Sequence, residues 1–177
     1  MTIETRWTDV DKMLQPAPKD RDELRQRAVQ DVAKSRFEFP TVEFASYRTF
    51  VNTPEVTLPV KDAKGKEYTP DIVVVDTPGN LLKIVAQVET GDLVSEERAK
   101  EVWAPLSKLG DPAFYLYVPV GHGGQAKKTC KKLGIHVYGF RTWRYVPSGI
   151  EINDVSEPPD VMSKLMPPLV RKILRGM

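Results

Sequence analysis

The sequence has little cysteine and histidine, and it has no long hydrophobic run. Cys130 is the only cysteine among 177 residues, so no disulfide can form within the chain, and we expect a reducing, cytoplasmic environment. One cysteine and two histidines, His122 and His136, exclude a structural zinc site. No apolar stretch approaches the length of a membrane span, and residues 1–11 are polar, so we expect neither a membrane segment nor a signal peptide.

Acidic residues are absent from one long stretch of the chain. Residues 112–150 contain no Asp or Glu, although the whole protein has a formal net charge of only +2. The basic residues of this stretch predict a local face that binds a polyanion, with sequence-nonspecific contacts to the phosphates of DNA. The candidate nucleic-acid-binding residues are Lys127, Lys128, Lys131, Lys132, Arg141 and Arg144.

An alternative interpretation of the four lysines is a solvated helix face. Trp143 and Tyr145 alternate with the two arginines and favour the binding interpretation, because aromatic side chains stack on bases.

The length of the chain favours one domain, preceded by an arm and followed by a short extension. We assign residues 1–19 to the arm, 20–148 to an α/β domain, and 149–177 to a C-terminal loop and helix. The apolar segment Leu165–Leu174 is expected to pack on the domain or on a second copy, as in a homodimer. From residue 71 onward the predicted order is β-β-α-β-α-β, which predicts a central mixed β-sheet flanked by helices.

Capping residues predict where the helices begin. Asp20 and Ser95 each precede acidic residues, as is typical of helix N-termini, and Pro105 predicts a kink or an early break in the second helix. A third helix is predicted over 125–133, after a Gly-rich loop, and the apolar residues that follow predict a strand over 135–140.

Two carboxylates are predicted to meet at the ends of a β-hairpin. Asp71 opens the apolar run 72–75, a turn follows at 76–80, and a second apolar run, 81–88, ends in Glu89. Antiparallel pairing places the start of the first strand beside the end of the second. Two carboxylates in that position suit a hard divalent cation, which activates water and stabilises charge on a phosphate. Each acid taken singly is also consistent with a solvated strand end.

This arrangement resembles the PD-(D/E)xK nuclease superfamily. Pro70-Asp71 matches the first element of the family motif, and Gln87-Val88-Glu89-Thr90 falls on the neighbouring strand, where the family often has Glu-Val-Lys-Thr. The resemblance extends in element order over residues 20–145 and implies a restriction-endonuclease-like core. The chain departs from the pattern in having Gln87 at the acid position and Glu89 at the lysine position, although some similar restriction enzymes also carry Glu there.

The resemblance implies metal-assisted hydrolysis of DNA phosphodiester bonds. Asp71, Gln87 and Glu89 would form the catalytic centre, and Asp71 and Glu89 would hold Mg²⁺ or Mn²⁺. Lys100, on the following helix, is the expected substitute for the missing lysine. Glu23 is the candidate for a further ligand or base that the superfamily pattern takes from the first helix.

Two alternatives remain open at this point. Lys100 is also consistent with a solvated helix charge paired with Glu96 or Glu97. The first hypothesis for the whole protein is a metal-dependent nuclease, which the retained Asp71 and Glu89 favour; the alternative is a catalytically degenerate relative that binds nucleic acid or a protein partner without cutting. Gln87 favours the degenerate form, since an amide oxygen is a neutral ligand.

Overall fold

A computed structural model describes residues 20–155, whose strands form a six-stranded mixed β-sheet and a small two-stranded one. The strands are β1 (Tyr47–Val51), β2 (Val60–Lys61), β3 (Glu67–Tyr68), β4 (Ile72–Asp76), β5 (Leu81–Val88), β6 (Ala113–Pro119), β7 (Gly139–Val146) and β8 (Gly149–Asp154). The order in the main sheet is β1-β4-β5-β6-β7-β8; β6 is parallel to both of its neighbours, and the other pairs are antiparallel. The predicted arm and Leu165–Leu174 lie outside the described residues.

The first two helices of the described region begin where capping residues predict them. The first, α1 (Arg21–Arg36), starts after Asp20, whose carboxylate accepts the N–H of Glu23 at 2.7 Å. Ser95 caps the second helix, α2 (96–107), by accepting the N–H of Arg98 at 3.1 Å. The third helix, α3 (Gly123–Leu133), ends at Gly134, which adopts a φ of 65°. None of the helices in residues 20–155 is long and apolar enough to cross a membrane.

The core has two layers, one on each face of the sheet, and the predicted α/β fold with a central mixed sheet flanked by helices is confirmed. On one face α2 and α3 pack against alternate residues of the strands, with the layer formed mainly by Val73, Val75, Val85, Trp103, Leu116, Ala126 and Cys130. On the other face α1 packs against the intervening residues, with the layer formed mainly by Val29, Val32, Ile72, Val74, Ala86, Val88, Tyr117 and Trp143.

The proline in α2 widens the helix and does not end it. Two α-helical turns, Glu96–Arg98 and Ala104–Ser107, flank a π-helical turn, Ala99–Trp103. Pro105 has no N–H to donate four residues back, and the preceding N–H of Ala104 donates to the carbonyl of Ala99, five residues back. The expected irregularity is therefore present, but it lies in the turn before the proline.

The strand predicted over 135–140 is displaced toward the C-terminus. Ile135 donates its N–H to the carbonyl of Cys130 at 2.9 Å, and its side chain is buried in the core. The apolar residue that suggested a strand thus closes the end of α3. The helix itself begins at Gly123, inside the predicted Gly-rich loop.

The polar segment after residue 148 also differs from its prediction. Residues 149–154 form the edge strand β8, which pairs with β7 and extends the α/β domain beyond the expected boundary at 148. Only Ile152 of this strand is buried, because the strand lies at the edge of the sheet. A strand with one buried residue has a composition close to that of a loop.

Candidate functional site

The two hairpin acids come together as the sequence predicts. Ile72 pairs with Ala86, so the residue before β4 lies beside the end of β5. The carboxylate of Asp71 accepts the backbone N–H of Val88 at 2.8 Å, one residue before Glu89. Asp71 is 4% exposed and Glu89 is fully buried, so neither is a solvated strand end.

Arg25 of α1 lies between the two carboxylates. Its Nη2 donates to both carboxylate oxygens of Asp71, at 2.6 Å and 2.7 Å. Its Nε lies 3.9 Å from Oε2 of Glu89. The guanidinium therefore occupies the position between the acids in which the sequence predicts a divalent cation.

Glu89 is held from the other side by α2. Its Oε1 accepts the Nε–H of Arg98 at 2.9 Å and the Nε1–H of Trp103 at 2.8 Å. Arg98 and Trp103 are five residues apart, which corresponds to about 140° on a regular α-helix. The π turn between them brings both donors closer to one face of α2, so that they reach the same oxygen.

The residues present do not fit a bound Mg²⁺ or Mn²⁺. Asp71 and Glu89 carry two negative charges, and Arg25 and Arg98 carry two positive charges, so the cluster is neutral as it stands. A divalent ion would have to displace a guanidinium from a buried carboxylate. Within residues 20–155, no group of three or more Asp, Glu, His or Cys side chains is arranged to hold a metal ion. The donor set is that of a buried ion-pair network.

Burial shifts the proton affinity of Asp71. Desolvation raises the pKa of this carboxyl from 3.8 to about 6, against the opposing effects of the Arg25 charge and the N–H of Val88. The nearby negative charge of Glu89 raises the pKa further. Asp71 is therefore ionised at neutral pH and becomes protonated in mildly acidic solution.

A cavity of about 380 Å³ opens beside this cluster. Asp71, Arg25 and Arg98 form one part of its wall, and Val102 and Leu106 of α2 form an apolar part. Gln87, the residue at the family's acid position, also lines the cavity and is only 2% exposed.

Lys100 does not contribute to this cavity. Its ammonium pairs with Glu96 at 2.9 Å, and its side chain is 60% exposed. The hydrogen bond that Lys100 donates to Glu96, together with the negative charge of that carboxylate, raises the pKa of Lys100. Lys100 is thus a solvated helix charge paired with Glu96, which is the alternative interpretation of the sequence. It does not occupy the expected catalytic position.

The six predicted nucleic-acid-binding residues do not form one surface. The α3 helix lies on one face of the sheet, whereas Arg141 lies two and four residues before Trp143 and Tyr145 on β7 and therefore shares their face, the one covered by α1. Arg141 pairs with Asp154 at 2.6 Å, and Arg144 pairs with Glu151. Trp143 is 4% exposed and donates to the backbone carbonyl of Glu89, so its predicted stacking on bases is excluded in this fold.

The lysines of α3 are the part of this prediction that remains on the surface. Lys132 pairs with Glu96 at 2.7 Å, and Lys127 approaches the carbonyl of Val155 at 3.4 Å. The side chains of Lys128 and Lys131 are exposed, and they form no ion pair or hydrogen bond with residues 20–155.

Sequence reasoning missed the two arginines that complete the charge cluster. Arg25 stands three and four residues before Ala28 and Val29, on the inward stripe of α1, whereas Glu23, the expected contributor from this helix, is exposed. Arg98 likewise lies on the inward stripe of its helix, four residues before Val102 in α2. An arginine on the apolar stripe of a helix is the signal that would have identified both, because such a residue needs a buried anionic partner.

Comparison of the chain with family models, with curated proteins and with solved structures gives no match.

Proposed function

We propose that this protein has a nuclease-like fold and binds nucleic acid without cutting it. The observation that carries the proposal is the position of Arg25, whose guanidinium bonds both oxygens of Asp71 and faces Glu89. A protein side chain thus supplies the positive charge that hydrolysis would take from a metal ion. Unlike a metal ion, a guanidinium does not coordinate the oxygen of a water molecule, and so it does not lower the pKa of that water.

The residue types at the motif support the absence of cleavage. Gln87 offers a neutral oxygen where the superfamily has an acid, and the carboxylate of Glu89 is engaged by Arg98 and Trp103. A general base must reach the proton of an attacking water, and Glu89 is fully buried. The acids of the motif instead join α1, the hairpin and α2.

The binding part of the proposal rests on α3. Lys128 and Lys131 are three residues apart, so they project from the same side of the helix. Tyr138, in the connection that follows α3, is 70% exposed, but its ring packs against Tyr115 of the layer on the α1 face, so it does not extend the lysine surface of α3. Two exposed lysines on the same side of a helix, without acidic partners among residues 20–155, favour nonspecific contact with the phosphates of a nucleic acid.

The test measures binding and cleavage in the same samples. Fluorescence anisotropy of a labelled single-stranded DNA would be followed through a salt series, and denaturing gels would report cleavage in Mg²⁺ and in Mn²⁺. We expect salt-dependent binding and intact DNA. Replacing Lys128 and Lys131 by Gln should weaken binding and reduce the slope of log K against log[salt] by about 1 to 2. Replacing Lys34 and Lys61, exposed lysines outside α3, removes the same charge and should leave the slope almost unchanged.

Metal-dependent hydrolysis of DNA is the second candidate function. It is favoured by two buried oxygens near the cavity, Oε1 of Gln87 and Oε2 of Glu89, which have no hydrogen-bond partner among residues 20–155. This function requires Arg25 to withdraw from the acids when DNA binds. Cleavage that appears with Mn²⁺ and disappears in Asp71→Asn would replace the first proposal with this one.

We also propose a reducing, cytoplasmic location, because the lone cysteine is a core residue. Burial raises the pKa of Cys130 to about 11, so the side chain remains a thiol at neutral pH. A homodimer through Leu165–Leu174 stays a prediction, and light scattering before and after removal of that segment tests it.

A further inference from the structure

Gln87 is a buried amide without a partner. Its side chain is 2% exposed and forms no hydrogen bond with any residue in 20–155. The Oε1 atom of this amide is fully buried and accepts no hydrogen bond from residues 20–155, which is costly for a polar atom inside a fold. Such a residue is a candidate for contact with a ligand when it faces a cavity, and Gln87 lines the cavity of about 380 Å³ beside the charge cluster.

The cavity has the size of a small-molecule site, and its wall is mainly polar with a smaller apolar part. Its volume falls within the range of about 300–1,000 Å³ that is typical of such sites. Val102, Leu106 and Pro70 supply apolar surface, and Thr53 and Thr69 supply hydroxyl groups. A flat ring with polar edges suits walls of this kind.

Hydrogen-bond donors also reach the cavity from Arg98. Its Nε is bonded to Glu89, and its two terminal nitrogens have no hydrogen-bond partner among the described residues. Its side chain is 26% exposed and lines the cavity. Arg98 is therefore fixed at one nitrogen and has donors left for an acceptor on a ligand.

We propose that this cavity binds a single nucleobase, with the Gln87 amide pairing to the edge of the base. The inference rests on the proposed function, since it names the part of a nucleic acid that the protein would recognise. An amide presents a donor and an acceptor side by side, and the edge of a nucleobase presents the complementary pair. An unstacked or terminal base enters such a cavity without duplex opening.

A phosphate fits this cavity less well than a base. Glu67 and Glu101 contribute carboxylates to its wall, and these repel an anion. The charge of Arg25 is committed to Asp71, and that of Arg98 to Glu89. The polar groups left for a ligand are mainly an amide, hydroxyls and guanidinium N–H groups, which recognise a neutral polar ring.

The experiment uses uncharged nucleosides, so that phosphate contacts with α3 play no part. Adenosine, guanosine, cytidine and thymidine would each be titrated into the ¹⁵N-labelled full-length chain at millimolar concentration. We expect at least one of them to shift the side-chain amide resonances of Gln87. Gln87→Met, which keeps the length of the side chain but removes its polar atoms, should weaken that binding about tenfold.

A matched control is Gln26→Ala, which removes an exposed glutamine of α1 and should leave nucleoside affinity unchanged. Melting curves establish that Gln87→Met is folded, which we expect because the replaced amide has no partner in the protein. N-methylacetamide, a mimic of the peptide group, would be titrated in parallel.

Either of two results overturns the inference. In the first, none of the four nucleosides shifts the side-chain amide resonances of Gln87. If N-methylacetamide alone shifts them, a peptide is the better occupant and the inference is overturned as well. The other is nucleoside binding that Gln87→Met leaves intact. Failure of the proposed function gives a different result: the salt-dependent binding of DNA at α3 is absent, and the nucleoside titration is unaffected.

Discussion

The charge cluster around Asp71 and the basic side of α3 use charged residues in opposite ways. In the cluster the carboxylates are buried, and Arg25 and Arg98 neutralise them. On α3, Lys128 and Lys131 face solvent without an acidic partner in the described residues. The same types of residue therefore stabilise the fold in one region and remain available to a polyanion in the other. Burial decides between the two roles, and a sequence motif does not report burial.

The largest expected effect comes from breaking the cluster. Glu89→Ala leaves Arg98 and the indole N–H of Trp103 without their acceptor, and we expect the free energy of unfolding to fall by about 3–5 kcal/mol. The exposed ion pair of Arg144 with Glu151 is the matched control, and Glu151→Ala should leave the free energy of unfolding almost unchanged. Urea unfolding of both variants makes the comparison. Similar losses in the two would show that the cluster is no more important than a surface pair.

The next prediction separates a guanidinium from a metal ion. Arg25→Met removes the cation between Asp71 and Glu89 and destabilises the protein, because two buried carboxylates then share Arg98 alone. We expect Mn²⁺ to bind this variant and raise its Tm by several degrees, with no such effect on the wild type. Adding Asp71→Asn to Arg25→Met should abolish the response. An equal rise in the wild type would mean that Arg25 does not substitute for a metal.

A smaller effect is expected from pH. Because burial raises the pKa of Asp71 to about 6, the folded protein holds this proton more tightly than the unfolded chain does. The stability that Asp71 contributes is therefore complete below about pH 4 and declines as the pH rises toward 6. The free energy of unfolding of the wild type minus that of Asp71→Asn should fall over this window and then level off. A difference that rises with pH would mean that Arg25 outweighs burial.

The smallest expected effect on stability is at the basic side of α3, the second region of the comparison. Glu96 binds both Lys100 and Lys132, and these two lysines lower its pKa to about 2. Glu96→Gln should leave the free energy of unfolding almost unchanged, because the pairs are exposed. It should strengthen DNA binding a few-fold at low salt, since Lys132 is released. Unchanged affinity would place Lys132 outside the binding surface.

The sequence predicts the parts of this fold that depend on neighbouring residues. The starts of α1 and α2 follow from the caps Asp20 and Ser95, and the hairpin follows from two apolar runs around a turn. The meeting of Asp71 with the end of β5 is a consequence of that hairpin. These features are local, so propensity and periodicity are sufficient to predict them.

The contents of the site depend on distant residues and were not predictable in the same way. Arg25 is 46 residues from Asp71, and the position of its guanidinium depends on how α1 packs on the sheet. The strand β8 was missed because an edge strand with a single buried residue has no apolar alternation. The motif locates two acids correctly, but their chemistry is determined by helices that the motif does not include.

The π turn of α2 has a consequence for sequence comparison. A relative whose helix is regular over this region would need one residue fewer between its counterparts of Arg98 and Trp103 to present both side chains to the same carboxylate. An alignment without a gap would therefore match the correct residue on one side of the turn and the wrong one on the other. Homologues should be aligned with a single-residue gap within 99–102 before a difference at Trp103 is interpreted as a substitution.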